Sequence, residues 1–185
     1  SDISKKEPFK VINTFSKEIS FKKTHFVDMG LWPAGETIAK DRLKSFLSKK
    51  VFNYSKERND PILDGTSRMS PYLTMGVISN RRCLLEALKS NNFELQGGNK
   101  GICKWIDEII WREFYKNIMH SFPRVSMNQP FNMSTASIKW RHNEEEIEAW
   151  KNGKTGFPFI DAAMLQLKYE GWMHNRLRMV VAMFF

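Results

Sequence analysis

The sequence predicts an all-α domain, and three observations point there. Apolar residues recur at helical spacing, most clearly in ICKWIDEIIWREFYKNIMHSF. Proline and glycine stand where such helical segments start and stop. No segment of the 185 residues alternates apolar and polar side chains as a half-buried strand does. With 42 % apolar residues, the chain can bury a core.

The elements follow in order. Residues 1–28 hold six lysines and scattered apolar residues without periodicity, which reads as a linker. In LWPAGETIAKDRLKSFLSKK, Pro33 and Gly35 open a helix along which Ile38, Leu43 and Phe46/Leu47 recur at helical spacing. VFNYSKERNDPILDGTSRMSPY reads as loop, broken by Pro61 and Gly65. Ser70-Pro71 has the form of an N-cap followed by a first-turn proline. Ser79 is expected to cap a helix running to about Ser90. NNFELQGGNKG is a loop, a long helix spans Ile102 to Phe122, and PRVSMNQPFNMSTAS is irregular. NEEEIEAWKNG predicts a short helix ending at Gly153, and PFIDAAMLQLKYEG another that stops at Gly171. GWMHNRLRM opens the last helix, and no internal repeat is visible. The chain begins without Met and stops within the apolar run MVVAMFF, so a piece of a longer chain, cut at both ends, is expected.

Composition narrows the function. A formal net charge of +9 suits a polyanionic partner, nucleic acid or an anionic membrane surface, although a lysine-rich soluble protein carries the same balance. Cys83 and Cys103 form no CxxC pair, and His25, His120, His142 and His174 form no HxxxH or HExxH, so reduced thiols and no metal site are expected. No segment reads as a signal peptide or as a membrane span. No Ser/His/Asp or Cys/His arrangement offers a nucleophile.

Three places look like parts of a site. On a wheel at about 100° per residue, Ile106, Ile110, Phe114 and Ile118 form the expected core stripe of the long helix. Trp105, Glu108, Arg112 and Tyr115 form a second stripe that mixes aromatic rings with opposite charges, with Trp111 beside it. The same stripe fits an ordinary solvated face with a Glu108–Arg112 pair at i,i+4. The last helix repeats the theme: Asn175 and Arg178 at a polar rim give way to an apolar tail expected in the interior, and rim polars of this kind also serve as plain caps. In DGTSRMS, Thr66, Ser67 and Ser70 with Arg68 precede a helix start, where backbone N–H groups and the helix dipole favour an anion, although most such loops are simply turns.

WPAGE, DGTSRMSPYLTMGVIS, WIDEIIWREFY, GKTGFPFIDAAM and GWMHNRLRM, in this order, resemble the flavin-binding region of the DNA photolyase/cryptochrome family. Within it they look most like bacterial class I cyclobutane pyrimidine dimer photolyases. The resemblance runs from about Leu31 to Phe185. It implies an interdomain linker over residues 1–30 and, over 31–185, the N-terminal part of the helical FAD-binding and DNA-binding domain. The family's antenna domain and the last third of the helical domain are absent from this sequence. Met69 stands where leucine is common, a volume-conserving change.

The resemblance also implies roles. Tyr54, Thr66, Ser67, Arg68, Met69 and Ser70 match positions that hold FAD, and Trp105, Glu108 and Arg112 match its pocket. Arg58, Glu108, Trp111, Arg112 and Tyr115, with Asn175, Arg176, Leu177, Arg178 and Met179, match DNA-contacting positions. Among these, Glu108, Trp111, Asn175 and Met179 line the cavity for a flipped-out pyrimidine dimer. Glu108 would stabilise the dimer radical anion, and Trp140 matches the outermost tryptophan of the chain that reduces the flavin. A second, folate-type antenna chromophore would be held mainly by the absent domain, although SMNQP lacks the basic residue expected to face it. The implied enzyme is a deoxyribodipyrimidine photo-lyase, monomeric at full length, in the bacterial cytoplasm at the nucleoid, with the piece alone inactive. A cryptochrome-like photoreceptor without repair is the alternative on the same fold. A basic helical DNA-binding module without cofactor is a third reading.

Overall fold

The computed structural model describes residues 27–185, and all the regular elements among them are helical. The linker expected over residues 1–30 lies outside the described residues except for 27–30, which lead into a 3-10 turn at Met29–Leu31. Helix α1 (Glu36–Ser45) passes into a π-helical turn at Phe46–Lys50, a 3-10 turn at Val51–Asn53 and the short α2 (Tyr54–Glu57). VFNYSKE is therefore helical, not loop. Its polar residues hide the periodicity, but Val51 and Tyr54 are buried, and that burial holds the turns in place.

Helix α3 (Ser70–Thr74) has Pro71 in its first turn, but Met69 occupies the N-cap position and Ser70 is already helical, so no side chain caps it. Helix α4 (Asn80–Ser90) is capped as expected, the Ser79 hydroxyl accepting from the Arg82 N–H at 3.2 Å. Helix α5 (Lys100–Ser121) starts before Ile102 because Asn99 Oδ1 accepts from the N–H groups of both Gly101 and Ile102. Helix α6 (Glu144–Lys151) has an Asn143 cap and three glutamates in its first turn, where the helix dipole favours them. Helix α7 (Pro158–Glu170) stops at Gly171, whose φ of +64° a side chain would resist. Helix α8 (Asn175–Phe184) is capped by the His174 ring.

Two apolar cores result. The first joins α1 to α4 with the front half of α5, through Leu43, Phe46, Val51, Met69, Ile102 and Ile106. Gly101 makes this possible: a Cβ there would overlap the Val51 carbonyl oxygen, so only glycine lets α5 meet that turn. The second packs Ile160, Ala163 and Met164 of α7 against Met173, Leu177 and Val181, with Trp150 of α6 donating to the Val181 carbonyl at 3.1 Å. Among the described residues no helix is long and apolar enough to cross a membrane.

Two expectations about faces are corrected. Of the predicted α5 core stripe only Ile106 is buried; Ile110 and Phe114 are about half exposed, at 49 % and 48 %. The buried stripe is Ile102, Trp105, Ile106 and Ile109. Apolar residues occur on several sides of α5, so periodicity alone could not choose the face. The apolar tail of α8 is likewise not interior: Val181 is buried, but Met179, Val180, Met183, Phe184 and Phe185 are exposed.

Candidate functional site

The site begins where α2 faces α5. Tyr54 is buried, edge-on to Phe46 at 5.8 Å between ring centroids. Burial pushes its hydroxyl up to about 12, with the neighbouring Arg58 pulling it down and the Glu108 charge adding to the rise. Trp105, expected on the mixed face, is 3 % exposed and packs 5.2 Å from Phe46 as a core residue. Arg58 pairs with Glu108, and its guanidinium lies 5.5 Å over the Tyr54 ring. Glu108 therefore turns to Arg58, with Lys104 at 3.9 Å, and the expected Glu108–Arg112 pair does not form. Arg112 is half-buried, and its Nε is enclosed without a hydrogen-bond partner.

The 64–70 loop supplies a second donor set. Arg68 has a φ of +50°, a left-handed conformation that costs a non-glycine residue about 1–2 kcal/mol. Its guanidinium lies 4.7 Å over the Trp172 ring, 3.5 Å from Glu170 and 3.7 Å from Asp64. These are long contacts, and the buried Nε, which makes the one to Asp64, has no hydrogen-bond partner. Thr66, Ser67 and Ser70, which flank Arg68 in the chain, are half-buried, while Met69 is fully in the core. Because α3 is five residues long, its dipole is small, and the anion reading rests on Arg68 and the hydroxyls instead.

Beyond Glu108, α5 carries an exposed aromatic patch. Trp111, Phe114 and Tyr115 touch one another with centroids 5.3–6.0 Å apart. The start of α8 stands on the other side of the 58–60 turn. Arg176 donates to Asn59 Oδ1 from Nε at 2.8 Å and from Nη2 at 2.6 Å. Asn175 Oδ1 accepts from Arg178 Nη2 at 2.9 Å, and Met179 is exposed. Leu177, grouped with the DNA-contacting positions, turns into the second core instead, as its place between Met173 and Val181 on the buried stripe requires.

Trp140 is not part of this cluster. It is 83 % exposed and rims an open groove of about 870 Å³ shared with Trp150, Phe157 and Phe185. Among the described residues no group of acidic, histidine or cysteine side chains could hold a metal ion. Four residues at the site escaped the sequence reading: Asn59, Glu170, Trp172 and His174. The last three lie in or beside the quoted GWMHNRLRM motif, which marked the segment without separating their roles; nothing local distinguished Asn59 from any loop asparagine.

A family model described as the FAD binding domain of DNA photolyase matches residues 105–185. The chain is 46 % identical over 155 residues to a deoxyribodipyrimidine photo-lyase of Neurospora crassa, covering 83 % of this chain and 25 % of that protein. The crystal structure of a bacterial class III photolyase from Agrobacterium tumefaciens is similar with a TM-score of 0.79 at 34 % identity, over 88 % of this chain and 33 % of that one. A Synechocystis cryptochrome structure is similar with a TM-score of 0.73 at 27 % identity, over 91 % and 34 %. The chain spans about a quarter to a third of the length of the curated relatives it matches.

Proposed function

The chain belongs to the DNA photolyase/cryptochrome family, and we propose that it serves light-driven DNA repair, the splitting of a flipped-out cyclobutane pyrimidine dimer into monomers. The observation that carries this reading is the match of residues 105–185 to the FAD-binding domain of photolyases, because those residues include the α5 and α8 sides of the site described above. Residues 31–185 serve as the N-terminal part of the helical FAD-binding and DNA-binding domain, preceded by a linker over 1–30.

The donor set suits FAD. Arg68 and Arg112 each keep a buried Nε without a hydrogen-bond partner, the first with only the Asp64 carboxylate at 3.7 Å, and Thr66, Ser67 and Ser70 flank Arg68 in the chain. Arg68 and these hydroxyls would hold the diphosphate, and Tyr54, Met69, Trp105 and Arg112 would shape the pocket. A reduced FAD held by these residues would supply light-driven one-electron chemistry for ring opening. The chain's part is to bind and orient. Trp111 offers a flat face on which an extruded pyrimidine stacks, offsetting part of an unstacking cost of a few kcal/mol. Glu108, Asn175 and Met179 line the cavity, and Glu108 stabilises charge developing on the dimer. Arg112, Tyr115, Arg176 and Arg178 face the DNA, and the net charge of +9 adds salt-dependent attraction to its phosphates. Arg58 serves this face chiefly by holding Glu108. Trp140, at the surface, is the entry point for electrons that reduce the resting flavin. A folate-type antenna, a monomeric state and a place at the bacterial nucleoid complete the reading.

The similarity to a cryptochrome keeps a signalling photoreceptor as the second reading. Illuminating the FAD-loaded whole protein with dimer-containing DNA, against a dark control, separates them. Repair in light alone is expected; a light response of the flavin without repair favours the photoreceptor. Trp111→Ala should weaken binding of dimer DNA by roughly 1–3 kcal/mol while leaving flavin content unchanged. Equal affinity of the variant and its parent would contradict the stacking role.

A further inference from the structure

The turn after α2 is gripped from two sides. Arg58 is paired with Glu108 of α5. The next residue, Asn59, accepts both hydrogen bonds from Arg176, 117 positions away at the start of α8. Both bonds have a charged donor, which makes them stronger than neutral ones. The third free nitrogen of Arg176, Nη1, lies 3.8 Å from Met179 Sδ, so the same guanidinium steadies a cavity residue one turn on.

His174 completes the grip from beneath. It is 2 % exposed, and its Nδ1 accepts from the Arg176 N–H at 3.2 Å, which places the ring proton on Nε2. That Nε2 is enclosed without a hydrogen-bond partner. The Arg58 backbone and the Asp60 carboxylate act on the ring from the turn, and Arg176 and Arg178 from α8. Trp172 stands edge-on to it, 6.3 Å between centroids, and fixes its plane. Burial, with the Arg178 and Arg176 charges, holds its pKa below the ordinary 6.5, so the ring stays neutral and keeps its capping bond.

Neither apolar core includes this contact. The first core closes at Ile109 of α5, and the second closes among α6, α7 and α8. Arg68 on Glu170 and Trp172, and Trp32 Nε1 on the Glu170 carbonyl, tie the end of α7 and the stretch after it to the first region; the 58–60 turn adds the polar link that joins the partner of Glu108 to the start of α8.

We propose that Asn59 and His174 are positioning residues that clasp the N-terminal end of α8 onto the 58–60 turn and so hold Asn175 and Met179 at a fixed separation from Glu108. The clasp rests on the reading of this face as the dimer cavity. Its chemistry is selective in one respect. Asn59 is neutral, so it orients Arg176 without cancelling a positive charge at the DNA-facing rim; an aspartate would orient it equally well but remove that charge.

The test is the ratio of affinities for dimer-containing and undamaged DNA, measured on the FAD-loaded whole protein. Asn59→Ala should lower the ratio about tenfold, the size of one lost charge-assisted interaction, with affinity for undamaged DNA, flavin content and thermal midpoint little changed. Asn59→Asp should keep the ratio while weakening binding to both DNAs, because the geometry survives and the charge does not. His174→Asn, which can still cap α8, should lower the ratio as Asn59→Ala does. A parent protein that prefers dimer DNA, with a ratio that Asn59→Ala leaves intact, overturns the clasp alone. Loss of flavin or of cooperative unfolding in Asn59→Ala also overturns it, by showing a structural residue. A parent without any preference for dimer DNA overturns the repair reading, and the role of the clasp falls with it.

Discussion

Between Gly101 and Ile109, α5 buries Ile102, Trp105, Ile106 and Ile109 against α1 to α4; between Ile110 and Met119 the same helix exposes Ile110, Trp111, Phe114, Tyr115 and Met119. The two halves do not differ in apolar content. They differ in what they meet, and the contrast extends to the two cores. The first closes around itself, whereas the second leaves Phe157, Phe184 and Phe185 at the surface around an open groove. Contiguous exposed apolar surface of this kind marks a face made for contact, and on α5 the exposed rings adjoin Glu108. The closed half holds the helix still, and the open half presents side chains.

That division can be broken or sharpened by substitution. Gly101→Ala has the largest expected effect. Its methyl would overlap the Val51 carbonyl oxygen and lie 2.7 Å from that of Phe52. Backbone cannot swing aside as a side chain can, so a loss of about 4 kcal/mol or more is expected in urea unfolding, beyond ordinary overpacking. A near-normal midpoint would mean that the closed core yields more than its packing suggests.

Leu43→Ala and Leu177→Ala compare the two cores with the same chemistry. Leu43 is 2 % exposed inside the closed core and should cost about 4 kcal/mol, while Leu177, 8 % exposed in the smaller second core, should cost about 2 kcal/mol. Equal losses would erase the distinction between a closed and an open core.

A smaller, pH-dependent effect is expected from His174, at the junction of the two regions. Its folded pKa lies below 6.5, so the folded state binds the proton less tightly than the unfolded chain does. The stability it contributes is present above 6.5 and is lost as the pH falls below that value towards and through the folded one. Urea midpoints measured from pH 7.5 down to 5 should fall, and His174→Gln should flatten that fall. An identical slope in the variant would assign the pH dependence to other groups.

Phe114→Ala should do least. Half exposed on the open half of α5, it should change stability by no more than about 0.5 kcal/mol. A loss near that of Leu43→Ala would show that the aromatic patch is a core in its own right.

Much of the helical order was legible in the residues. Ser79 caps α4, Gly171 stops α7, and the proline at 158 opens it, because caps and breakers act on backbone groups within about four residues of themselves. The motifs around Glu108 and Asn175 likewise identified the family before any packing was known. Less legible were the helical turns at 51–57 and the core face of α5, since burial depends on partners that the segment does not contain.

The amino-acid sequence by itself determined the all-α class, most helix ends and the family. Only the tertiary structure decided that Trp105 is core, that Glu108 pairs with Arg58 and not with Arg112, and that Arg176 is held by Asn59. The physical reason is range. A cap is satisfied by its own neighbours, but the Arg58–Glu108 and Asn59–Arg176 contacts join residues 50 and 117 positions apart, and such pairs exist only once the helices have packed.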